Sequence, residues 1–281
     1  MKVKSPSLSI ITINLDNANG LHKTFESVIN QTFTDFEYII IDGGSIDGSV
    51  ELIKEYADKI SFWVSEPDKG IYNAMNKGIL KATGEYCLFL NSGDWLVDEN
   101  VVSDFIQCNY TEDIITGNIM IREDDKDVIY NSPNDDLTLD FFYTANLPHQ
   151  ATFIKHSLFD TLGLYNENYK ILSDSEFMIR VLAIHGRKYK HFNRVISHFD
   201  TFGISSQPEL NMDAMDEREA ILNNYSPFIH KSFKKILSEN YTLVSQYNEY
   251  REYIHLKNGK AGFIIRLLLY LKQKKKNTFN L

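Results

Sequence analysis

At 281 residues, with 43% hydrophobic and 13% aromatic content, the chain can bury one large core or a core with an appendage, which excludes global disorder. A net charge of −9 argues against a nucleic-acid partner, and two cysteines, Cys87 and Cys108, give neither a disulfide framework nor a zinc cluster, as suits a reducing cytosol. No run approaches the roughly 18 apolar residues that a bilayer span needs, and the first residues enter a strand pattern without a leader signature.

In chain order, residues 8–13 form an apolar strand, and Leu21, Phe25, Val28 and Ile29 mark one helical face. Residues 38–41 are a second strand and residues 50–56 open a second helix. A third strand at 60–64 leads into the turn Glu66-Pro67-Asp68-Lys69-Gly70. Ile71, Ala74, Met75 and Ile79 then recur at helical spacing until Gly84. Residues 86–90 are apolar enough for a strand buried on both faces, and Asn91-Ser92-Gly93-Asp94 follows at its carboxyl end. Strands alternating with helices predict a parallel, doubly wound sheet, whose ligands sit beyond the carboxyl ends of its strands.

Past residue 113 the pattern changes to short alternating strands around the acidic turn Glu123-Asp124-Asp125, then a loop and short helix over 131–146. A strand is predicted over 150–154, with helices over 157–162 and 173–185. Beyond residue 206 the pattern is helical and polar, and from Lys257 onward there are seven basic residues and no acid. Removing those seven charges from −9 leaves −16 on the first 256 residues. The segment 260–276, with Phe263, Ile264, Ile265, Leu267, Leu268, Leu269 and Leu271 between basic flanks, reads either as a docking helix or as an interfacial helix for anionic lipid, with the balance toward lipid.

The motifs, in order, resemble the family 2 inverting glycosyltransferases, which have the GT-A nucleotide-sugar fold, and most of all bacterial enzymes of surface-polysaccharide synthesis. They are S-I-I-T-I-N from Ser9, Q-T-F from Gln31, I-I-I-D-G-G-S-I-D-G-S from Ile39, D-K-G-I-Y-N-A-M-N-K-G from Asp68, A-T-G-E-Y from Ala82 and L-N-S-G-D ending at Asp94. Fainter echoes are His149-Gln150 and Ser173-Asp174-Ser175-Glu176-Phe177. The resemblance implies a mixed α/β sheet flanked by helices, a catalytic domain over 1–206 and a helical extension over 207–281. Within the domain, 1–100 would bind nucleotide and 101–206 acceptor.

It also implies roles. Thr12, Asn14 and Ser92 would line the donor pocket, and Asp42 would accept the imide N–H of uracil or thymine. Asp68 would lie near ribose and base, and Lys69 near a phosphate. Asp94 would hold Mn²⁺ or Mg²⁺ with the diphosphate, although the usual first acid of a D-x-D pair is here Asn91 or Ser92. Asp174 would be the general base, ahead of Glu176. His149, Gln150, Glu176, His198 and Asp200 are candidate acceptor or metal contacts.

The expected reaction moves a sugar from a nucleotide-diphospho-sugar, with UDP preferred, to a hydroxyl of a glycan or polyprenyl-linked acceptor. The expected setting is the cytoplasm, with peripheral contact at the inner face of the membrane. Two alternatives stand: a non-catalytic nucleotide-sugar-binding relative, and a sugar nucleotidyltransferase. The second is disfavoured because residues 14–20 contain no basic residue.

Overall fold

A computed structural model describes residues 6–123, 126–200 and 211–225, together with positions 227, 230–232, 234–236 and 238–239. The first half alternates as expected. Strand β1 (Leu8–Asn14) is followed by α1 (Ala18–Ile29), β2 (Glu37–Asp42), α2 (Ser49–Glu55), β3 (Phe62–Ser65), α3 (Ile71–Ile79) and β4 (Tyr86–Phe89). Then come a short β5 (Trp95–Leu96), α4 (Val101–Gln107), the long β6 (Ile114–Glu123) and β7 (Lys126–Tyr130). The remainder comprises α5 (Phe141–Thr144), β8 (Thr152–Lys155), α6 (Ser157–Leu162), α7 (Ser173–Met178), β9 (Tyr189–Phe199) and α8 (Asn211–Tyr225).

The described strands form one mixed sheet in the order β3-β2-β1-β4-β8-β6-β9-β5, with β7 on β6. Strands β3, β2, β1 and β4 run parallel, β8 is antiparallel to β4 and β6, and β9 runs parallel to β6. The chain winds outward from β1 to β2 and β3 and then returns to place β4 on the other side of β1. The direction of winding therefore reverses at the β1–β4 boundary, the place beyond whose strand ends open α/β sheets bind their ligands.

The period-two alternation of the strands sorts their side chains between two cores. Ile11, Ile39, Ile41, Cys87 and Phe89 pack with Met75 and Ile79 of α3 and Phe177 of α7. Leu8, Ile10, Ile40 and Leu88 face the other way, toward Leu21 and Phe25 of α1, Ile53 of α2 and Val102 and Phe105 of α4. Several sequence motifs are accounted for by this framework. Gln31 spans from α1 to the turn before α4, donating to the carbonyls of Ser27 and Asp98 and accepting from the Val102 amide. Glu37 binds the amides of Thr83 and Gly84, and a β-carbon on Gly84 would stand 2.7 Å from the Leu8 backbone. Asp47 caps two helices, accepting from Ala18 N–H at the start of α1 and Ser49 N–H at the start of α2.

Three second-half elements differ from expectation. The strand over 150–154 begins as a 3₁₀ turn (His149–Ala151), closed by the Ala151 N–H on the Pro148 carbonyl, before β8. The helix over 173–185 changes at Ile179 into a π-helical turn (Ile179–Ile184). Helix α8, grouped by sequence with the extension, belongs to the compact unit that ends at Tyr225, and its Ile221 and Leu222 are buried in the core that contains Phe177. The basic segment 260–276 lies outside the described residues.

Candidate active site

Beyond β1 and β2, Asn14 and Asp42 stand in register. Asp42 is wholly buried, and its oxygens accept from Asn14 Nδ2 (2.8 Å), Gly44 N–H (3.1 Å), Ser45 N–H (2.9 Å), Ser45 Oγ (2.6 Å) and Ser65 Oγ (2.6 Å). Burial alone would raise its pKa, but the bonds from Ser45, Ser65 and Asn14 outweigh burial and hold the carboxyl below its usual range. This corrects the expectation of a base-pairing Asp42: five donors saturate the carboxylate, which locks the glycine-rich turn. Thr12 is likewise internal, its hydroxyl lying between Tyr38 Oη (3.1 Å) and the Leu90 carbonyl (2.7 Å), so it does not line a pocket.

The carboxylate that reaches the mouth of this turn is Asp68. Its Oδ2 lies 2.6 Å from where a Gly43 β-carbon would stand, and its Oδ1 accepts from Gly70 N–H at 2.8 Å. Lys69 is exposed beside it. Asn14 keeps one buried acceptor, Oδ1, without a hydrogen-bond partner.

Beyond β4, the Asn91-Ser92-Gly93-Asp94 turn is held against β1 and α1. Ser92 N–H donates to the Ile13 carbonyl, and Thr24 Oγ1 donates to the Asp94 carbonyl at 2.7 Å. Gly93 has φ +107°, and a β-carbon there would meet Asp200 Oδ2 at 2.6 Å, so glycine permits two acids to converge. Asp200, just past β9, donates its N–H to Asp94 Oδ1 at 2.8 Å. Asp94 is 4% exposed, and its pKa is raised to about 7. Burial is the main cause, and the Asp200 charge adds to it against the lowering influence of His149 and the Asp200 N–H. The second carboxylate beside Asp94 is therefore Asp200, which is remote in sequence from the Asn91–Asp94 motif.

His198 is not part of this pairing. It stacks on Trp95 at 4.5 Å and 13° across the β5–β9 ladder, and burial lowers its pKa.

His149 joins the two halves of the site. Its Nε2 lies 3.1 Å from Asn91 Nδ2, and its Nδ1 lies 3.6 Å from Asp174 Oδ2. Burial pushes the imidazole pKa down, the Asp174 and Asp94 carboxylates push it up, and the net is upward. His149 therefore bridges Asn91 and Asp174. Gln150 beside it is buried at 3% exposure in the 3₁₀ turn.

Asp174 sits in the first turn of α7, and its Oδ1 lies 2.9 Å from the Tyr72 hydroxyl of α3. Glu176 is committed elsewhere: Arg180 Nη2 meets it at 3.0 Å, and the Tyr225 hydroxyl donates to it. That ion pair removes Glu176 from the candidates for metal or acceptor contact. Helix α8 braces the same turn, since Glu217 accepts from the amides of Lys170 (2.6 Å), Ile171 (3.0 Å) and Leu172 (2.9 Å).

Sequence reasoning missed Tyr72, Asn73, Asn76 and Glu217. Asn76 exchanges two hydrogen bonds with the Tyr165 backbone, and Asn73 and Asn76 both donate to Glu167, which explains the polar positions of the Y-N-A-M-N motif. The available signal was polarity on the buried face of an otherwise apolar helix. A separate cleft of about 530 Å³, lined by His22, Lys23, Trp95 and Asp98 among others, opens beside α1 and is not lined by Asp174 or His149.

The residues fit a divalent cation of the kind that keeps several waters. Asp94 and Asp200 offer carboxylates, burial of Asp94 favours a neutralising charge, and Asn91 Oδ1 is buried without a partner. Among the described residues, no group of three or more His, Cys, Asp or Glu side chains encloses an ion, so phosphate and water would complete the coordination.

The family description "Glycosyl transferase family 2" matches residues 9–178. A PGL/p-HBAD biosynthesis glycosyltransferase of Mycobacterium bovis (strain BCG / Pasteur 1173P2) is 31% identical over 206 residues, which is 71% of this chain and 78% of that protein. A cholesterol galactosyltransferase of Borreliella burgdorferi is 34% identical over 105 residues, covering 37% of this chain and 28% of that one. Among solved structures, S. aureus TarS 1-349 in complex with UDP-GlcNAc superposes with a TM-score of 0.61 at 17% identity, covering 78% of this chain and 67% of its own. The mannosyltransferase PcManGT from Pyrobaculum calidifontis, in complex with GDP-Man and Mn²⁺, gives 0.54 at 13%, covering 96% and 88%. These structural likenesses establish the shared GT-A architecture. With the family match spanning more than half its length, the chain belongs to glycosyl transferase family 2.

Proposed function

We propose that the protein transfers a sugar, with inversion, from a UDP-sugar to a hydroxyl of a lipid-linked glycan or lipid acceptor. The observation that carries this reading is the line Asp94–Asn91–His149–Asp174, which joins an acid pair suited to a cation and diphosphate to a single carboxylate suited to an acceptor hydroxyl. Asp174 takes the acceptor proton as the hydroxyl oxygen attacks the anomeric carbon. The bond to the diphosphate oxygen breaks on the opposite face, so the configuration inverts. Asp94 and Asp200 would hold Mg²⁺ or Mn²⁺, which when bound neutralises charge on the departing diphosphate. In this reading Asp68, beside Gly43, and Asn14 would meet the nucleoside, with Ser92 on the diphosphate side and Lys69 near a phosphate.

UDP is preferred because the TarS relative in fold binds UDP-GlcNAc, and a carboxylate such as Asp68 suits the imide N–H of uracil. A lipid acceptor is supported by the name of the cholesterol galactosyltransferase relative and by the basic, apolar segment 260–276. Any contact through that segment would be peripheral, because its apolar run is shorter than the roughly 18 residues a span needs; among the described residues no helix is long and apolar enough to cross a membrane. Cytoplasmic placement at the inner membrane face is part of the same proposal.

The test measures UDP release from a panel of UDP-sugars with Mn²⁺, in wild type and Asp174→Asn. General-base catalysis is worth about 10²–10⁴-fold, so the variant should lose that much turnover while still binding UDP. Transfer by Asp174→Asn at the wild-type rate would overturn the base assignment. Failure of the wild type to bind or cleave any nucleotide sugar would favour a non-catalytic relative.

A further inference from the structure

Asp174 is held at both oxygens by different parts of the chain. Oδ2 faces His149 Nδ1 at 3.6 Å, and Oδ1 faces the Tyr72 hydroxyl at 2.9 Å. Tyr72 is 5% exposed, and its hydroxyl also lies within hydrogen-bond reach of the Ile171 carbonyl. A phenol has one proton and therefore can donate to one of these two oxygens at a time. Burial, followed by the Asp174 charge, pushes the Tyr72 pKa well above its ordinary value, so the phenol keeps its proton.

We propose that Tyr72 is the positioning residue of the base, its hydroxyl turning from one acceptor to the other as Asp174 gains a proton. The inference rests on Asp174 being that base. Before transfer, Tyr72 O–H donates to the ionised Oδ1 and fixes the carboxylate toward the acceptor. The acceptor hydroxyl proton then moves to Asp174 while its oxygen bonds to the anomeric carbon. Tyr72 now turns its O–H to the Ile171 carbonyl, and the Tyr72 oxygen accepts from the new carboxylic acid. Both protonation states are thus satisfied without moving a backbone atom, which matters because a buried polar group left unpaired is costly. Position 72 also lies in the first turn of the helix that follows the Asp68 turn, so the base is oriented from the donor side of the site.

The experiment is a double-mutant cycle of Tyr72→Phe and Asp174→Asn, scored by kcat, donor KM and UDP affinity. A hydrogen bond to a charged group is worth about 1.5–3 kcal/mol, so Tyr72→Phe should lower kcat roughly 10- to 150-fold with donor KM and UDP affinity unchanged. In the Asp174→Asn background it should cost almost nothing more, because there is no base left to position. An equal loss in both backgrounds, or a wild-type kcat in Tyr72→Phe, would overturn the proposal. If Asp174→Asn is itself unimpaired, the base reading fails first, and the cycle shows which of the two has failed. Should Tyr72→Phe not fold, 3-fluorotyrosine placed at position 72 keeps the ring and hydroxyl while making the phenol more acidic. An altered kcat at constant donor KM would then support the switch, and an unaltered kcat would overturn it.

Discussion

Asp94 should make the free protein less stable as the pH rises, and replacing it should remove that dependence. Its pKa is raised from 3.8 to about 7 by burial and the neighbouring Asp200 charge, against partial relief from His149. At 1.36 kcal/mol per unit, the shift corresponds to about 4 kcal/mol between the protonated and ionised forms in the fold. In the unfolded chain the carboxyl ionises near pH 4. Between about pH 4 and 7 the folded state therefore binds more protons than the unfolded state, and stability falls as pH rises across that window. Above about pH 7 the full penalty is present. Asp94→Asn has no charge to bury, so it should be the more stable protein at pH 8, by up to about 4 kcal/mol, and lack this slope. The assay is urea unfolding from pH 4 to 8 for both proteins. With Mn²⁺ and UDP at about 100 times their dissociation constant, wild type should gain about 2.7 kcal/mol at pH 8. Asp94→Asn should lose the metal-dependent part of that gain. Identical pH profiles, or an undiminished Mn²⁺-dependent gain in the variant, would refute the reasoning.

Glu176→Gln breaks its buried pair with Arg180 and should destabilise the fold by about 3–5 kcal/mol, with kcat per folded molecule near wild type. A loss of kcat at unchanged Tm would return Glu176 to the chemistry. Glu217→Ala removes the acceptor shared by the Lys170, Ile171 and Leu172 amides, so hydrogen exchange at those amides should accelerate and kcat should fall while UDP affinity holds. Removing the residues after Gly259 should abolish pelleting with anionic vesicles, since each basic residue near such a surface contributes about 1 kcal/mol of attraction and high salt should weaken it. Salt-insensitive or absent vesicle binding by the full chain would count against the peripheral reading.

The nucleotide-binding half was legible in the sequence because its information is local. Alternating apolar runs, helical stripes and glycine stops specify β1 to β4 and their order, and the same apolar positions fill the two cores. The second half was read less well: the 3₁₀ turn at His149 and the π-helical turn after Met178 depend on tertiary packing, which periodicity does not report. Asp42 shows the limit for a single residue. Its type and place suit a base contact, yet Ser45, three positions on, and Ser65, 23 positions on, fill its oxygens before any ligand could.

The same limit has a constructive side at Asp94. A D-x-D pair places two acids on one turn, and its reduction to a lone aspartate put metal binding in question. The structure brings a second carboxylate beside it from 106 residues away, where Asp200 lies just past β9 and Gly93 leaves room for it. The proposed base is met in the same way, with Tyr72 reaching Asp174 across 102 residues. Both pairings are made by elements that the sheet brings to one edge: α3 over β1 and β2, and β9 against β5. The fold, rather than spacing along the chain, thus decides which carboxylates meet, and this is why a motif read alone could not reveal either pairing.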